Sequence, residues 1–414
     1  MKHIIYAFII SAAISLPCFA ETGGTPLTLG RCISLAQKES EGLAIQRERQ
    51  DQAAQRVKQA RGGMLPNLKF KYQKTYRDTV DGAYTTDLND SKIALSQPLF
   101  SGFSKKSSLD FSKNEVQKES LNYESSARDL KADVTWTFYS VAQIDGDIAN
   151  IKNTRQLMEE RRSELLERVR LGKSRNSEIL VLESQIATLS AQEEKARADR
   201  AIAVETLAYL IGSDPAGLAV ADDTPAPGPA EPLEKYLESA KNRSDIEAEK
   251  RNVLSQQYKV AVARGSLLPT LNLDGSWYTQ RSGSMSDSKW DAVFSLDVPL
   301  FQGGTARGKT DEELSRLREY EAGLSRITRE VDTEIRKLYR SAVSSVNQAS
   351  AYSDAFDKSG KSYQMQVNDY RFGLVNNLDI IQFMIVMLDT KKNLDRALIQ
   401  SKLDRALLEI EAGR

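Results

Sequence analysis

The feature that most constrains this chain is that it repeats itself. Ala60-Arg61-Gly62-Gly63-Met64-Leu65-Pro66-Asn67-Leu68 returns 203 positions later as Ala263-Arg264-Gly265-Ser266-Leu267-Leu268-Pro269-Thr270-Leu271. Pro98-Leu99-Phe100-Ser101-Gly102 returns as Pro299-Leu300-Phe301-Gln302-Gly303, 201 positions on. At the same offset of 201, Arg170-Leu171-Gly172 and Asn176 return as Arg371-Phe372-Gly373 and Asn377. Three landmarks in one order at a nearly constant offset mark a tandem duplication. Between the copies lie Asp214-Pro215, Pro225, Pro227-Gly228-Pro229 and Pro232, a density that ends any helix and reads as a linker. The expected organisation is a leader at 1–20, a first repeat at 21–212, a linker at 213–232 and a second repeat at 233–414.

Both repeats read alike. A helical stretch, about 28–62 and then about 233–264, stops at Leu-Pro. Two strand-like segments follow, about 67–77 and 91–100 in the first copy and about 270–280 and 290–301 in the second. Next comes a long helical stretch without proline, about 103–171 and 305–372, then a glycine-centred turn and a last helix, about 176–210 and 377–410. The long stretches carry a seven-residue beat: Val116, Tyr123, Leu130, Thr137, Ile144, Ile151, Met158 and Leu165, then Leu317, Leu324, Val331 and Leu338. Sustained heptads mark coiled-coil packing. At 1.5 Å per residue such a helix spans about 100 Å, and the two shorter helices laid end to end cover roughly the same distance. The chain is expected to be a rod.

The N-terminus has the layout of a secretory signal. Lys2 and His3 precede an apolar run at 4–14, and Cys18-Phe19-Ala20 offers small residues before a cut at Glu21. Pro17 argues against lipidation of Cys18. Cleavage would remove the single His and one of the 2 Cys, leaving Cys32 without a disulfide partner. Without histidine, Ser-His-Asp and Cys-His catalysis and the usual His-containing zinc sites are excluded. No nucleophile or phosphate-loop motif appears, so no catalytic residue, metal or cofactor is expected. Lys+Arg 57 against Asp+Glu 57 leaves no basic excess for a nucleic-acid partner. With 28% charged residues the chain is not a bundle of apolar transmembrane helices.

The strands suggest another route into a membrane. Leu68, Phe70, Tyr72 and Tyr76 alternate with Lys69, Lys71, Gln73, Thr75 and Arg77. Ile93, Leu95 and Leu99 oppose Lys92 and Ser96, and Leu271, Leu273 and Trp277 oppose Asn272, Asp274 and Ser276. Trp290, Ala292, Phe294, Leu296, Val298 and Leu300 oppose Asp291, Ser295 and Asp297. One apolar and one charged face suit a membrane barrel with a watery interior, and equally a half-buried soluble sheet. Export and the aromatics Tyr76, Trp277, Tyr278 and Trp290 near strand ends favour the barrel. Four strands cannot close one, since membrane barrels need about eight. An open edge in lipid costs several kcal/mol per unpaired backbone group, so several chains must contribute. Three copies would give twelve strands.

These landmarks resemble the TolC-type outer-membrane efflux family, over nearly the whole chain after the leader. The resemblance implies a mainly α fold with a β-barrel portion: a homotrimer whose 12-stranded barrel in outer-membrane lipid continues as a long α-helical coiled-coil tunnel through the periplasm. It also implies a passive exit duct, in an efflux pump or type I secretion system, that docks a periplasmic adaptor and an inner-membrane transporter. The family's tip motif, Val-Gly-Leu or Val-Gly-Thr, aligns with Phe372-Gly373-Leu374 and with Leu171-Gly172-Lys173, where Lys173 departs. Both glycines could instead simply supply the backbone of a helix–helix turn. The family's acidic rings align with Asp379 and its first-repeat partner Glu178, and the second ring position falls on Gln382. Threefold repetition would turn one carboxylate into a cation-selective field, and Asp379 would equally suit the N-terminus of a helix. Tyr370 and Arg371 resemble contacts that hold the closed state. The competing readings are a soluble periplasmic coiled-coil adaptor or chaperone, which would more naturally carry compact β domains, and an envelope enzyme.

Overall fold

Proline and glycine punctuate the chain, and between them it runs in long regular elements. A computed structural model describes residues 26–77, 86–282 and 286–414. The expected leader at 1–20 lies outside these residues. The first repeat comprises α1 (Leu29–Glu39), α2 (Glu41–Gly62), β1 (Asn67–Arg77), β2 (Thr86–Ser101), α3 (Ser104–Arg170) and α4 (Asn176–Ile211). The second comprises α5 (Leu233–Ala240), α6 (Ser244–Gly265), β3 (Thr270–Gln280), β4 (Trp290–Asp297), α7 (Thr305–Arg371) and α8 (Asn377–Glu411).

α3 and α7 each have 67 residues, which is about 100 Å of helix. Every heptad position read from the sequence is buried or half-buried, from Val116 to Leu165 on α3 and from Leu317 to Leu338 on α7. Their partners change along the rod. Near its start α3 meets α2 through Arg47 Nη2 and Tyr123 OH (3.2 Å) and α6 through Asn114 Nδ2 and the Arg251 carbonyl (2.7 Å). Further along it meets α4 through Arg155 and Glu193 (2.6 Å) and α8 through Asn150 and Asp395 (3.0 Å). α7 packs first on α5 and α6 and then on α8. Across the rod the order is therefore α2–α3–α6–α7 in one half and α4–α3–α8–α7 in the other. First-repeat helices form one lateral edge and α7 forms the other.

The first helical stretch of each repeat is two helices where the sequence suggested one. At Ser40 the backbone is extended (φ −66°, ψ 116°) and its hydroxyl accepts from the Leu43 N–H at 3.3 Å, which caps α2. The second break ends at Arg243, whose guanidinium donates to Asp245 Oδ2 (2.7 Å) and Glu411 Oε2 (2.9 Å). Around these breaks the rod thickens into a collar. Cys32, Phe138, Tyr139, Leu207 and Ile211 form one core there, and Tyr236, Ile335 and Leu408 another. The linker closes the first by pairing with Leu27, whose N–H donates to Ala219 O at 2.8 Å.

The strands form one antiparallel sheet in the order β1-β2-β3-β4, so the β2–β3 seam joins the two repeats. Its register aligns Phe70, Ile93, Trp277 and Trp290 in one row and Leu68, Leu95, Gly275 and Ala292 in the next. β2 starts ahead of residue 91, and β4 stops at Asp297 instead of reaching 301. Pro299 has no N–H to offer a ladder. Its counterpart Pro98 stays within β2 only beside a register shift between Pro98 and Phe100.

Candidate functional site

Two surfaces stand out, one on the sheet and one at the far end of the rod. On the sheet, period-two alternation puts Leu68, Phe70, Tyr72, Phe294 and Leu296 on one face. They are left bare, with Phe70 68% and Phe294 70% exposed. Lys69, Lys71, Lys92, Asp274 and Asp291 take the opposite face. Among the described residues no helix is long and apolar enough to cross a membrane.

At the far end both long helices finish in the same turn. Gly172 (φ 69°) and Gly373 (φ 77°) are left-handed. The Gly172 and Lys173 N–H groups donate to Val169 O (2.9 Å) and Arg168 O (2.8 Å). The Gly373 and Leu374 N–H groups donate to Tyr370 O (3.0 Å) and Asp369 O (2.9 Å). This is the Schellman arrangement, which needs a residue tolerant of positive φ at its centre. An added Cβ at either glycine would meet nothing within 4 Å, so backbone conformation alone accounts for them. Around them Leu171, Lys173, Phe372 and Leu374 are all exposed.

The expected gate residues divide. Asp379 forms a reciprocal capping box at the start of α8: its N–H donates to Asn376 Oδ1 (3.0 Å) and its Oδ2 accepts from the Asn376 N–H (3.1 Å). The helix-start role is thus the one its contacts display. Glu178, at the matching place on α4, accepts from Ser174 Oγ at 2.9 Å. Gln382 and Arg371 are exposed, whereas Tyr370 is buried.

What buries Tyr370 is a pair of residues that the sequence reading passed over. Arg168 and Arg161 of α3 lie 4.1 and 4.6 Å from its ring centroid. Arg161 also donates from Nε (2.9 Å) and Nη2 (2.6 Å) to Asn377 Oδ1. α3 is thereby fastened to the α7–α8 turn. Burial pushes the nearby Tyr363 phenol up, against the opposing charge of Arg161. The available signal was the spacing of Arg161 and Arg168, seven apart and so on one face of the helix.

A duplicated unit with its sheet at one end and glycine-tipped helices at the other is the fold of outer-membrane channels. The channel protein CusC superposes with a TM-score of 0.83 at 15% identity, over 93% of this chain and 91% of that one. The outer-membrane protein VceC of Vibrio cholerae does so at 0.81 and 15% identity, over 93% of this chain and 96% of that one. The pattern of the outer membrane efflux protein family matches residues 32–213 and 236–410, and the chain belongs to that family. It is an outer-membrane protein. The outer membrane efflux protein BepC of Brucella suis is 25% identical over 66% of this chain, which spans 61% of BepC's length. TolC of Escherichia coli is 21% identical over 84% of this chain and 74% of TolC.

Proposed function

We propose that three copies close into a ring: a 12-stranded barrel through the outer membrane, continued by a helical tunnel that is a passive exit duct. The observation that carries this reading is a mismatch between equivalent glycines. Within the chain, Gly102 and Gly265 are in backbone contact; a Cβ on Gly102 would meet Gly265 O at 2.3 Å, and one on Gly265 would meet Gly102 O at 2.7 Å. By the repeat offsets their counterparts are Gly303 and Gly62, and neither has anything within 4 Å. Both lie on open edges, Gly62 at the end of α2 and Gly303 after β4. If Gly303 of one copy meets Gly62 of the next, the internal β2–β3 and α3–α6 seams recur as β4–β1 and α7–α2 seams between copies. Such a head-to-tail contact makes a ring where its rotation closes, here after three copies. It also removes the unpaired strand edges that lipid does not tolerate, and the bare apolar sheet face then meets lipid.

In this reading the tips around Gly172 and Gly373 dock a periplasmic adaptor, which couples the duct to an inner-membrane transporter of an efflux or type I secretion system. Asp379 and Glu178 ring the tunnel's narrow end. No catalytic step is assigned. The test is Gly62→Leu: a Cβ there has nothing within 4 Å, so the chain should still fold, but the seam should be blocked. Wild-type protein in detergent should have the mass of three chains and a hollow stem in electron micrographs. The variant should be a single chain with unchanged circular dichroism. A variant that still assembles like wild type would overturn the seam, and a wild-type single chain would overturn the ring.

A further inference from the structure

The charged face of the sheet is not uniformly mixed. Lys71 of β1 lies directly across from Lys92 of β2, and Lys92 directly across from Tyr278 of β3. Like charges facing each other on neighbouring strands are destabilising, so this pairing calls for a compensating group. Asp90 and Asp291 share this face, and neither pairs with either lysine. Asp291 is engaged by Arg281 at 3.4 Å, and Asp90 Oδ1 accepts from the Ser282 N–H at 2.9 Å. Among the described residues neither Lys71 nor Lys92 has an ion-pair partner. Lys92 and Arg281 gather instead about one phenol. Lys92 Nζ is 3.4 Å from Tyr278 OH and 5.1 Å from its ring centroid, and the Arg281 guanidinium carbon is 4.0 Å from the same centroid.

We infer that the inner wall of the barrel carries an anion-binding subsite that takes multivalent oxyanions, formed by Lys71 and the facing Lys92, with Arg281, held by Asp291, at the Tyr278 ring beside Lys92. The inference rests on the ring reading, which turns this face toward the lumen and repeats the cluster around one axis. Rings of basic side chains select anions in pores, and low-dielectric walls concentrate their field. A polyanion lying between the two lysines would offset their mutual repulsion. The subsite sits in the barrel, at the opposite end of the duct from Asp379, so solutes would meet carboxylates on entry and ammonium groups near exit.

The test is conductance of the purified full-length protein in planar bilayers. Tripolyphosphate is added on the side of the strand loops, and reversal potential is read in a KCl gradient. Wild-type current should be blocked. In Lys71→Gln/Lys92→Gln the half-blocking concentration should rise about tenfold and the reversal potential should shift toward cation preference. Lys71→Arg/Lys92→Arg, which keeps the charge, should be blocked like wild type. If the double glutamine variant does not insert, Lys92→Gln alone is measured for the same two shifts. A wild-type protein that never conducts sinks the ring and the subsite with it. A conducting wild type that matches the glutamine variants in block and reversal potential overturns the subsite and leaves the ring standing.

Discussion

Replacing Arg161 by alanine should loosen the α7–α8 turn while leaving the rest of the rod intact. Its side chain is only 10% exposed. The substitution deletes both hydrogen bonds to Asn377 Oδ1 and one of the two guanidinium contacts on Tyr370. A charge-assisted hydrogen bond contributes about 1.5–3 kcal/mol. A partly desolvated cation–π contact adds about 1 kcal/mol. Asn377 would then be buried with Oδ1 unsatisfied as well as Nδ2, which already lacks a partner. A local loss of about 3 kcal/mol corresponds to a fall of about a hundredfold in the protection of amides that open with the turn. Amide hydrogen exchange reads this directly. Amides at 377–384 should exchange faster in the variant, and those in the middle of α7 should not. Unchanged exchange at 377–384 would refute the fastening role of Arg161. An equal loss along all of α7 would show the cost to be global.

Three other outcomes are expected. Gly373→Val forces a β-branched residue to φ 77°, a cost of about 1–2 kcal/mol; export should be lost at normal protein abundance, and normal export would argue against docking at this tip. Asp379→Ala removes half of the capping box, about 1 kcal/mol; bilayer recordings should show more leak and weaker cation preference, and unchanged conductance and selectivity would remove its ring role. In the collar, burial opposes the charge of Asp245, yet the hydrogen bond from Arg243 and the charge of Arg128 hold its carboxyl below the usual 3.8. That stability is present above 3.8 and lost as pH falls through the lower folded value. Glu411, pushed above 4.5 by burial, acts with the opposite sign. Melting temperature against pH should therefore fall less steeply on the acid side in Asp245→Asn than in wild type, and parallel profiles would refute the assignment.

The long elements were legible because their signals are local and redundant. Heptads, proline-free runs and glycine stops all agree over α3 and α7, so the expected bounds differ from the observed ones by about a residue. The breaks at Ser40 and Arg243 were not legible, since neither carries proline or glycine. Each depends on a contact, a side-chain cap at Ser40 and a buried ion pair at Arg243, which periodicity does not encode. At the tips, Gly172 and Gly373 could be read because positive φ leaves few alternatives. The seven-residue spacing of Arg161 and Arg168 puts both on one face but does not reveal their partners Tyr370 and Asn377, because an arginine that points at a neighbouring helix is written like one that points at water. The β2–β3 register is likewise a property of two segments nearly two hundred residues apart. It set Lys92 against Tyr278, while the β1–β2 register set Lys71 against Lys92.

The two lateral edges of this molecule are unlike: one ends in Gly62 and the other follows Gly303. In the proposed ring of three copies, a subunit damaged at one edge still offers a sound other edge. It can join a growing assembly and then prevent its completion. On that reading such an allele would be dominant. With equal synthesis of sound and damaged copies, only about one assembly in eight would draw three sound chains. A cell carrying one good and one spoiled copy should lose most of its ducts, not half of them.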